Sequence, residues 1–209
     1  MNESRVQIWI MAARPKTLWA AVAPVAMGIA MAADAGGMHI PAALAALFGA
    51  VMIQIGTNLA NDYFDYRKGT DQPGRLGPTR VTQAGLVTPH AMRIAITVTF
   101  SLAVVAGAYL VWRGGWPIVA VGLLSILFGF LYTAGPYPLG YNGLGDIFVL
   151  IFFGPVAVGG TYYVQTLDIN TAVLIAGLAP GLFSVAILTV NNLRDIGTDA
   201  EAGKKEGGE

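Results

Sequence analysis

Two polar stretches interrupt a largely apolar sequence. The first is Asn58-Leu-Ala-Asn61-Asp62-Tyr-Phe-Asp65-Tyr-Arg67-Lys68-Gly-Thr-Asp71, and the second is Asn191-Asn192-Leu-Arg194-Asp195-Ile-Gly-Thr-Asp199. In both, an asparagine is followed four residues later by an aspartate, and a further aspartate comes after it. Residues four apart lie on one face of a helix. Each stretch is therefore predicted to place an amide and two carboxylates on one helix face, and the two helix ends to face each other across a pocket.

The composition is that of a membrane protein. Of the 209 residues, 55% are hydrophobic and 11% are charged, whereas soluble domains carry about 25% charged residues. The formal net charge is zero, so no basic field indicates nucleic acid as a partner. The absence of cysteine excludes disulfides, thiolate metal sites and a cysteine nucleophile. With only two histidines, the acidic residues are expected to carry the chemistry.

Six apolar segments are each close to the ~20 residues that cross a bilayer. They cover residues 17–33, 41–61, 91–112, 117–134, 145–165 and 171–193. Residues 1–16 precede them and predict a short interfacial helix. The sequence therefore predicts an all-α polytopic membrane protein with six transmembrane helices, formed by a single membrane domain over residues 1–209.

The basic residues predict an orientation. With the N-terminus in the cytoplasm, eleven of the twelve Lys and Arg residues fall on the cytoplasmic side, and only Arg113 falls outside. Both polar stretches and Asp146 then lie on the cytoplasmic face of the inner (cytoplasmic) membrane. A loop over residues 66–89, rich in Gly and Pro, lies on the same face. Loops of this length are usually functional or disordered.

Carboxylates near membrane depth are costly and indicate function. Hard divalent cations such as Mg²⁺, Mn²⁺ or Ca²⁺ neutralise such clusters. Mg²⁺ is usually held by one or two carboxylates together with substrate phosphates. Two acidic clusters are therefore predicted to hold a diphosphate between them through bound metal ions, with Lys68 and Arg80 as cationic partners. Since such a site stabilises diphosphate as a leaving group, an allylic isoprenoid diphosphate is the natural ligand in a membrane pocket.

Together these residues resemble the UbiA superfamily of intramembrane aromatic prenyltransferases. The motifs that carry the resemblance span nearly the whole chain: Ala13-Arg-Pro-Lys-Thr-Leu18, Asn58 to Asp65, Gly77-Pro-Thr-Arg80, Gly135-Pro-Tyr-Pro-Leu-Gly-Tyr141, Gly143-Leu-Gly-Asp146 and Asn191 to Asp199. Within the superfamily, the chain is most similar to the menaquinone-pathway members that use 1,4-dihydroxy-2-naphthoate. The resemblance implies transfer of a polyprenyl group from its diphosphate to the aromatic ring, with loss of the ring carboxylate as CO₂, to give demethylmenaquinone.

The resemblance also implies roles for individual residues. Four aspartates take the catalytic and metal-binding role: Asp62, Asp65, Asp195 and Asp199. Seven further residues are expected to bind substrate: Asn58, Asn191, Lys68, Arg80, Tyr132, Tyr137 and Asp146. Two Mg²⁺ ions bridging the substrate diphosphate are expected as cofactors. The expected partners are polyprenyl diphosphate, an aromatic acceptor and membrane lipid, without nucleic acid.

Other acceptors and another class of function remain as alternatives. Superfamily members that use 4-hydroxybenzoate carry a Tyr-Pro followed closely by basic residues. Here Tyr137-Pro138 is followed by Leu-Gly-Tyr141, and no Lys or Arg occurs from Val119 until Arg194. This favours the naphthoate over 4-hydroxybenzoate, with homogentisate as a further alternative. A transporter, or a non-catalytic membrane protein that binds metal or prenyl diphosphate, is the alternative of another class, although carboxylates clustered at one membrane face argue against transport.

The resemblance also predicts how much of the family bundle is present. Members of the superfamily form a bundle of roughly nine helices, each near the length of a ~20-residue span. The chain stops shortly after the second polar stretch. We therefore expect it to be the first part of such a bundle, incomplete at the C-terminus, and weakly active or inactive alone.

Overall fold

All regular secondary structure in the described parts of the protein is helical. The computed structural model describes residues 4–69, 78–134, 138–141 and 143–201, and for residues 141 and 195–201 it describes the backbone alone. The helices are α1 (Arg5–Ala13), α2 (Pro15–Asp34), α3 (Ile40–Lys68), α4 (Pro89–Gly114), α5 (Trp116–Leu131), α6 (Gly145–Ile151), α7 (Ala157–Thr166) and α8 (Thr171–Glu201). A 3₁₀ turn (Leu139–Tyr141) precedes α6, and a π turn (Phe152–Val156) joins α6 to α7. The all-α prediction is confirmed.

Five helical segments in the described residues are long and apolar enough to cross a membrane. They are α2, α3, α4, the continuous run from α6 through α7, and α8. The remaining predicted span corresponds to α5, which is apolar but has only 16 residues, fewer than the ~20 that usually cross a bilayer. The protein is therefore a multi-pass membrane protein, and its helices follow the six apolar segments of the sequence.

The predicted interfacial segment forms α1, and its first turn is capped on both sides. Ser4 Oγ accepts from the backbone N–H of Gln7, and Gln7 Oε1 accepts from the backbone N–H of Ser4. This reciprocal capping box satisfies two amide groups that the first turn leaves without helical partners. At the other end, Arg14 joins α1 directly to α2 in the left-handed conformation, with φ 53° and ψ 69°.

The run from α6 to α7 is broken where it packs against α8. Gly154 has φ −112° and ψ −114°, and Pro155 follows it. A Cβ atom at Gly154 would lie 2.8 Å from the carbonyl oxygen of Gly177, and one at Gly181 would lie 2.6 Å from the carbonyl oxygen of Leu150. Small residues on both sides let the two backbones approach, as at many helix contacts in membranes. Three aromatic residues that precede the break, Phe148, Phe152 and Phe153, line an interior cavity.

A hydrogen-bonded clasp closes the bundle at the end away from the two polar stretches. Arg113, at the end of α4, donates from Nε to the carbonyl of Val164 (2.6 Å) and from Nη2 to the carbonyl of Gln165 (2.9 Å). Gln165 Oε1 in turn accepts from the backbone N–H of His39 at the start of α3 (2.8 Å). Arg113 is the one basic residue outside the positive-inside pattern, and this clasp gives it a structural role because it satisfies carbonyls at the end of α7.

Candidate active site

A cavity of about 760 Å³ lies among α2, α3, α4, α5 and the α6–α7 run. Small apolar residues make much of its wall, including Ala21, Ala46, Gly49, Ala50, Ala103, Gly107, Gly122 and Gly160. Polar side chains of α3 and α8, of the loop after α3, of the α1–α2 corner and of the residue after α5 line its opposite part, which we call the polar end. They are Arg14, Asn58, Asn61, Asp65, Arg80, Tyr132, Asn191, Asn192 and Arg194. The fold thus brings both polar stretches to one end of a single cavity.

The polar residues of α3 are buried but point in two directions. Asn58, Asp62 and Asp65 are 4%, 1% and 2% exposed. With 3.6 residues per turn, Asn61 and Asp65 lie to one side of Asn58 on the helix, whereas Asp62 lies about 40° to the other side. Asn58, Asn61 and Asp65 line the cavity, and Asp62 does not. The residues predicted to share one helix face therefore point two ways: Asn58 and Asp65 towards the cavity, and Asp62 towards the loop that follows α3.

Asp62 holds that loop in place. Its Oδ2 accepts from the backbone N–H of Val81 (3.0 Å), and its Oδ1 accepts from the backbone N–H of Thr82 (3.1 Å). Val81 is fully buried against the core formed by α3 and α4. Each carboxylate oxygen can accept more than one interaction, so these two bonds leave capacity for a further ligand.

Asp65 forms a buried ion pair with the same loop. Arg80 Nη2 lies 2.6 Å from Asp65 Oδ2, and both side chains line the polar end of the cavity. Hydrogen bonds between charged groups are about twice as strong as neutral ones, and burial removes the water that would screen them. Arg80, predicted from sequence to bind substrate, is thus held at the cavity by a carboxylate predicted to bind metal.

Asn58 supports the corner between α1 and α2. Its Nδ2 donates to the carbonyl of Ala13 and to Thr17 Oγ1, both at 2.9 Å. Thr17 Oγ1 donates to the carbonyl of Arg14 at 3.0 Å. These bonds fix the left-handed residue Arg14, whose side chain lines the cavity. Non-glycine residues in this conformation are strained and cluster at functional sites.

A second set of hydrogen bonds ties the end of α5 to α3. Lys68 Nζ donates to the carbonyl of Thr133 at 2.6 Å, and Thr133 Oγ1 donates to Asn61 Oδ1. Lys68 does not line the cavity, whereas Asn61 does. Lys68 therefore contributes here by holding the residues after α5, which include Tyr132.

Tyr132 borders both the main cavity and a small recess that opens off it. The recess is also lined by Asp146, in the first turn of α6, and by Asn192 of α8. Asp146 lines this recess but not the main cavity. Tyr137, the remaining predicted substrate-binding residue of this region, lies outside the described residues.

The second polar stretch lies near the C-terminal end of α8. Asn191, Asn192 and Arg194 line the polar end of the cavity. The backbones of Asp195 and Asp199 continue α8 by one and two turns beyond Asn191, and their side chains lie outside the described part of the chain. Among the described residues, no group of three or more His, Cys, Asp or Glu is arranged to hold a metal ion. The predicted metal role of these two aspartates stays a prediction.

Four residues of the polar end were not among the residues predicted to form the site. They are Arg14, Asn61, Asn192 and Arg194. The sequence did contain a signal for three of them, because Asn61, Asn192 and Arg194 belong to the two polar stretches. For Arg14 the signal was weaker, since a basic residue before a helix-starting proline is also common at a membrane boundary.

The polar end combines hard oxygen donors with cations. Asp65 supplies a carboxylate, and the asparagines supply amide oxygens, which are the ligand types that Mg²⁺ and Ca²⁺ prefer. Three arginines from separate parts of the chain add positive charge suited to phosphate or carboxylate groups. Such an arrangement can bind an anionic head group at one end of a cavity whose remaining wall accepts an apolar chain.

Comparison with known proteins identifies the family of this fold. A model described as the UbiA prenyltransferase family matches residues 21–206. The chain is 42% identical over 207 residues to 1,4-dihydroxy-2-naphthoate octaprenyltransferase of Escherichia coli (strain K12), covering 96% of this chain and 67% of that protein. It is 43% identical over 196 residues to the protein of the same description in Mycobacterium tuberculosis (strain ATCC 25618 / H37Rv), covering 94% of this chain and 67% of that protein.

A solved structure agrees with these relatives. The structure of a UbiA homolog from Archaeoglobus fulgidus bound to DMAPP and Mg²⁺ superposes with a TM-score of 0.68 at 14% identity, over 95% of this chain and 67% of that one. At this identity the likeness concerns the fold. The chain spans about two thirds of the length of each of these proteins. From the family match, the curated relatives and the shared fold, this chain belongs to the UbiA prenyltransferase family.

Proposed function

We propose that the protein transfers a polyprenyl group from polyprenyl diphosphate to 1,4-dihydroxy-2-naphthoate, releasing diphosphate and CO₂ and giving the hydroquinone form of demethylmenaquinone. The observation that carries this proposal is the single cavity that joins a polar end, with its buried Asp65–Arg80 pair, to a long apolar wall. A prenyl diphosphate has the matching form, since it is an anionic head group on an apolar chain. The curated relatives described above act on the same acceptor by name.

The donor set at the polar end fits Mg²⁺. Carboxylate and amide oxygens meet there, with cations close by, and Mg²⁺ characteristically completes its shell with water and substrate phosphate oxygens. When bound, the ion would neutralise charge on the departing diphosphate. We propose that Asp62, Asp65, Asp195 and Asp199 hold the metal, and that two ions bridge the diphosphate. Asp62 then has a second task, because it also anchors the loop that carries Arg80.

The arginines of the polar end are proposed to bind the diphosphate directly. Arg80 reaches the cavity from the loop, Arg14 from the α1–α2 corner and Arg194 from α8. Planar guanidinium groups recognise phosphate oxygens through paired hydrogen bonds. Lys68 is proposed to act from the rim, since it donates to the carbonyl of Thr133 and lies outside the cavity wall. Asn58 and Asn191 complete the polar end as amide groups that contact substrate.

The apolar wall is proposed to hold the first isoprene units. Three phenylalanines line the cavity and contact one another, with ring centroids 4.5 Å apart for Phe128 and Phe148 and 5.2 Å apart for Phe128 and Phe152. Phe128 lies one turn of α5 before Tyr132, and therefore near the polar end. Aromatic faces attract cations, so this cluster suits the positive charge that develops on an allylic carbon as diphosphate departs.

We further propose that the polar end faces the cytoplasm and that the protein resides in the inner membrane. All basic residues of the polar end fall on the side that the positive-inside pattern assigns to the cytoplasm. Polyprenyl diphosphate would then lie in the inner leaflet of the membrane lipid, and the soluble naphthoate would enter from the aqueous side.

The test is transfer of a labelled prenyl group. Membranes containing this chain, or a chain extended to the length of its relatives, are given radiolabelled polyprenyl diphosphate, 1,4-dihydroxy-2-naphthoate and Mg²⁺. Lipid-soluble product and released CO₂ are then measured. We expect one CO₂ per product molecule and loss of both on chelation with EDTA. Product without CO₂ release would contradict the decarboxylating reaction.

Two further arms separate the alternatives. If product forms from 4-hydroxybenzoate or homogentisate at least as fast as from the naphthoate, that compound would be the acceptor instead. Mg²⁺-dependent binding of the labelled diphosphate without product from any acceptor would support a binding protein instead of an enzyme. Membranes that carry the Asp65→Ala variant serve as the matched blank for all arms.

A further inference from the structure

The recess beside Tyr132 has the size and lining of a site for a single water molecule. Its volume is about 10 Å³, and its wall includes Tyr132, Asp146 and Asn192 together with the backbone of Gly143. A buried water requires roughly 10–15 Å³ of such volume and two to four polar partners. A phenol, a carboxylate and an amide supply those partners. Since Tyr132 and Asn192 also line the main cavity, the recess adjoins the place where substrates bind.

The Tyr132 ring is held at this position by glycines. The backbone N–H of Gly140 donates to the carbonyl of Tyr132 at 3.0 Å. A Cβ atom at Gly140 would lie 2.9 Å from the ring, and one at Gly145 would lie 3.4 Å from the hydroxyl oxygen. The ring therefore fits between two positions without side chains, and its hydroxyl lies at the start of α6. Asp146 is the next residue after Gly145.

A capping role explains Asp146 poorly. Carboxylates do stabilise helix N-termini, but α6 has only seven residues and its first residues show no side-chain cap. Asp146 is half-buried, at the recess rather than in solvent. The helix packs chiefly against α8 and the π turn. Among residues with described side chains, the titratable or charged groups that those neighbours and the end of α5 bring to this region are Arg194 and Tyr132.

We propose that Asp146 accepts the proton of the acceptor's ring hydroxyl through a water molecule that is held in the recess together with Tyr132. This proposal rests on the proposed function. This assigns Asp146 a task separate from that of the carboxylates on α3 and α8. Those carboxylates act at the diphosphate, whereas Asp146 acts at the aromatic ring. The division follows from their positions, because Asp65 lines the main cavity and Asp146 lines only its side recess.

The steps balance without an additional reactant. As the hydroxyl proton moves through the water to Asp146, the O–H electron pair enters the ring. The ring carbon that carries the carboxylate forms its bond to C1 of the prenyl chain, and the C1–O bond breaks with its pair leaving on diphosphate. Loss of the carboxylate as CO₂ returns a bonding pair to the ring. The proton then returns from Asp146 to the ring oxygen, so the carboxylate is regenerated.

The split between kcat and KM tests this role. In membranes containing the chain, Asp146→Asn is expected to lose roughly 10²–10⁴-fold in kcat with 1,4-dihydroxy-2-naphthoate, the usual contribution of a positioned proton acceptor, while KM for the naphthoate changes little. Asp146→Glu is expected to recover part of the kcat, because it retains a carboxyl group. Tyr132→Phe is expected to lower kcat by less than Asp146→Asn does.

Controls keep a folding defect apart from this role. Asp168→Asn removes an exposed carboxylate on the external side and is expected to match the wild type. Quenching of the naphthoate's fluorescence gives its Kd, which is expected to change less than threefold in Asp146→Asn. If that variant fails to bind, the Asp146→Glu variant decides, since a loss of kcat as large as that of Asp146→Ala contradicts the role.

The outcomes separate this role from the function itself. Product from wild type together with an unchanged kcat in Asp146→Asn overturns the role of Asp146 alone. No product with any acceptor, either from this chain or from a chain extended to the length of its relatives, overturns the proposed function and this role with it.

Discussion

Arg80 Nη2 and Asp65 Oδ2 lie 2.6 Å apart in a buried ion pair that joins the loop after α3 to α3 itself. The next two residues of the loop, Val81 and Thr82, donate their backbone N–H groups to Asp62. The loop is therefore attached by a charge pair and by two hydrogen bonds to adjacent carboxylates. Because the pair sits at the cavity wall, the same contact that fixes the loop also shapes the site for an anionic head group.

Removing one partner of this pair is expected to destabilise the protein more than removing both. Arg80→Ala removes the arginine from a buried ion pair, and breaking such a pair from one side costs about 3–5 kcal/mol. The double variant Arg80→Ala/Asp65→Ala removes both members of the pair and should recover much of that loss. Thermal unfolding of the purified protein in detergent, followed by tryptophan fluorescence, measures both effects. Equal stability of Arg80→Ala and wild type would contradict this expectation, and both variants should lack transfer activity.

Asp62→Asn is expected to release the loop. The amide nitrogen that replaces one carboxylate oxygen cannot accept from a backbone N–H, so either Val81 or Thr82 loses its partner. A buried donor without a partner costs about 1–3 kcal/mol. Hydrogen exchange at the Val81 and Thr82 amides should therefore become faster. The exposed residue Asp34 offers a matched control, and Asp34→Asn should leave the exchange unchanged. Wild-type exchange and turnover in Asp62→Asn would disprove both of its assigned tasks.

Substitution at Gly122 is expected to shorten the prenyl chain that the protein prefers. A Cβ atom there would meet no other atom within 4 Å, and the residue lines the cavity. Gly122→Leu should therefore fill cavity space without displacing neighbours. In competition between a short and a long prenyl diphosphate, the product ratio should shift towards the short chain by roughly tenfold or more, as hydrophobic pockets discriminate by size. Ala120→Leu, on the same helix but exposed, controls for side-chain size. An unchanged product ratio would show that the prenyl chain does not lie against Gly122.

Asp195→Asn is expected to abolish Mg²⁺-dependent binding of prenyl diphosphate. The α8 backbone places this residue one turn beyond Asn191, which lines the cavity. Losing one carboxylate weakens the hold on a hard divalent cation. Titration of labelled prenyl diphosphate with and without Mg²⁺ measures the difference, and Asp168→Asn controls for loss of a negative charge. Full Mg²⁺ enhancement of binding in Asp195→Asn would exclude it as a metal ligand.

The membrane spans were predictable because their signal is local. A run of about 20 apolar residues suffices to indicate a transmembrane helix, and α2, α3, α4 and α8 follow the predicted segments closely. The break at Gly154 was not predictable in the same way. Glycine and proline are common in membrane helices, and only the packing of Gly177 and Gly181 against this position explains why the helix opens here.

The site was predictable in its residue types but not in its contacts. The i, i+4 spacing predicted that Asn58 and Asp62 share one helix face towards the pocket; both are buried, but only Asn58 lines the cavity. It could not indicate that Asp62 binds backbone groups of Val81 and Thr82, because that contact depends on how an irregular loop returns to α3. Similarly, the bond from Asn58 to the carbonyl of Ala13 depends on the angle between α1 and α2. Such long-range contacts are set by tertiary packing and have no periodic signal.

The clasp at the far end of the bundle has a consequence for assembly in the membrane. Arg113 binds the carbonyl of Val164, which lies 51 residues later in the chain. During insertion, α4 enters the bilayer before α7, and a guanidinium that lacks partners in hydrocarbon is costly. Until α7 arrives, Arg113 must stay at the lipid head groups, where its charge is solvated. The end of α4 can therefore take its final position only when α7 supplies the carbonyl groups that Arg113 binds.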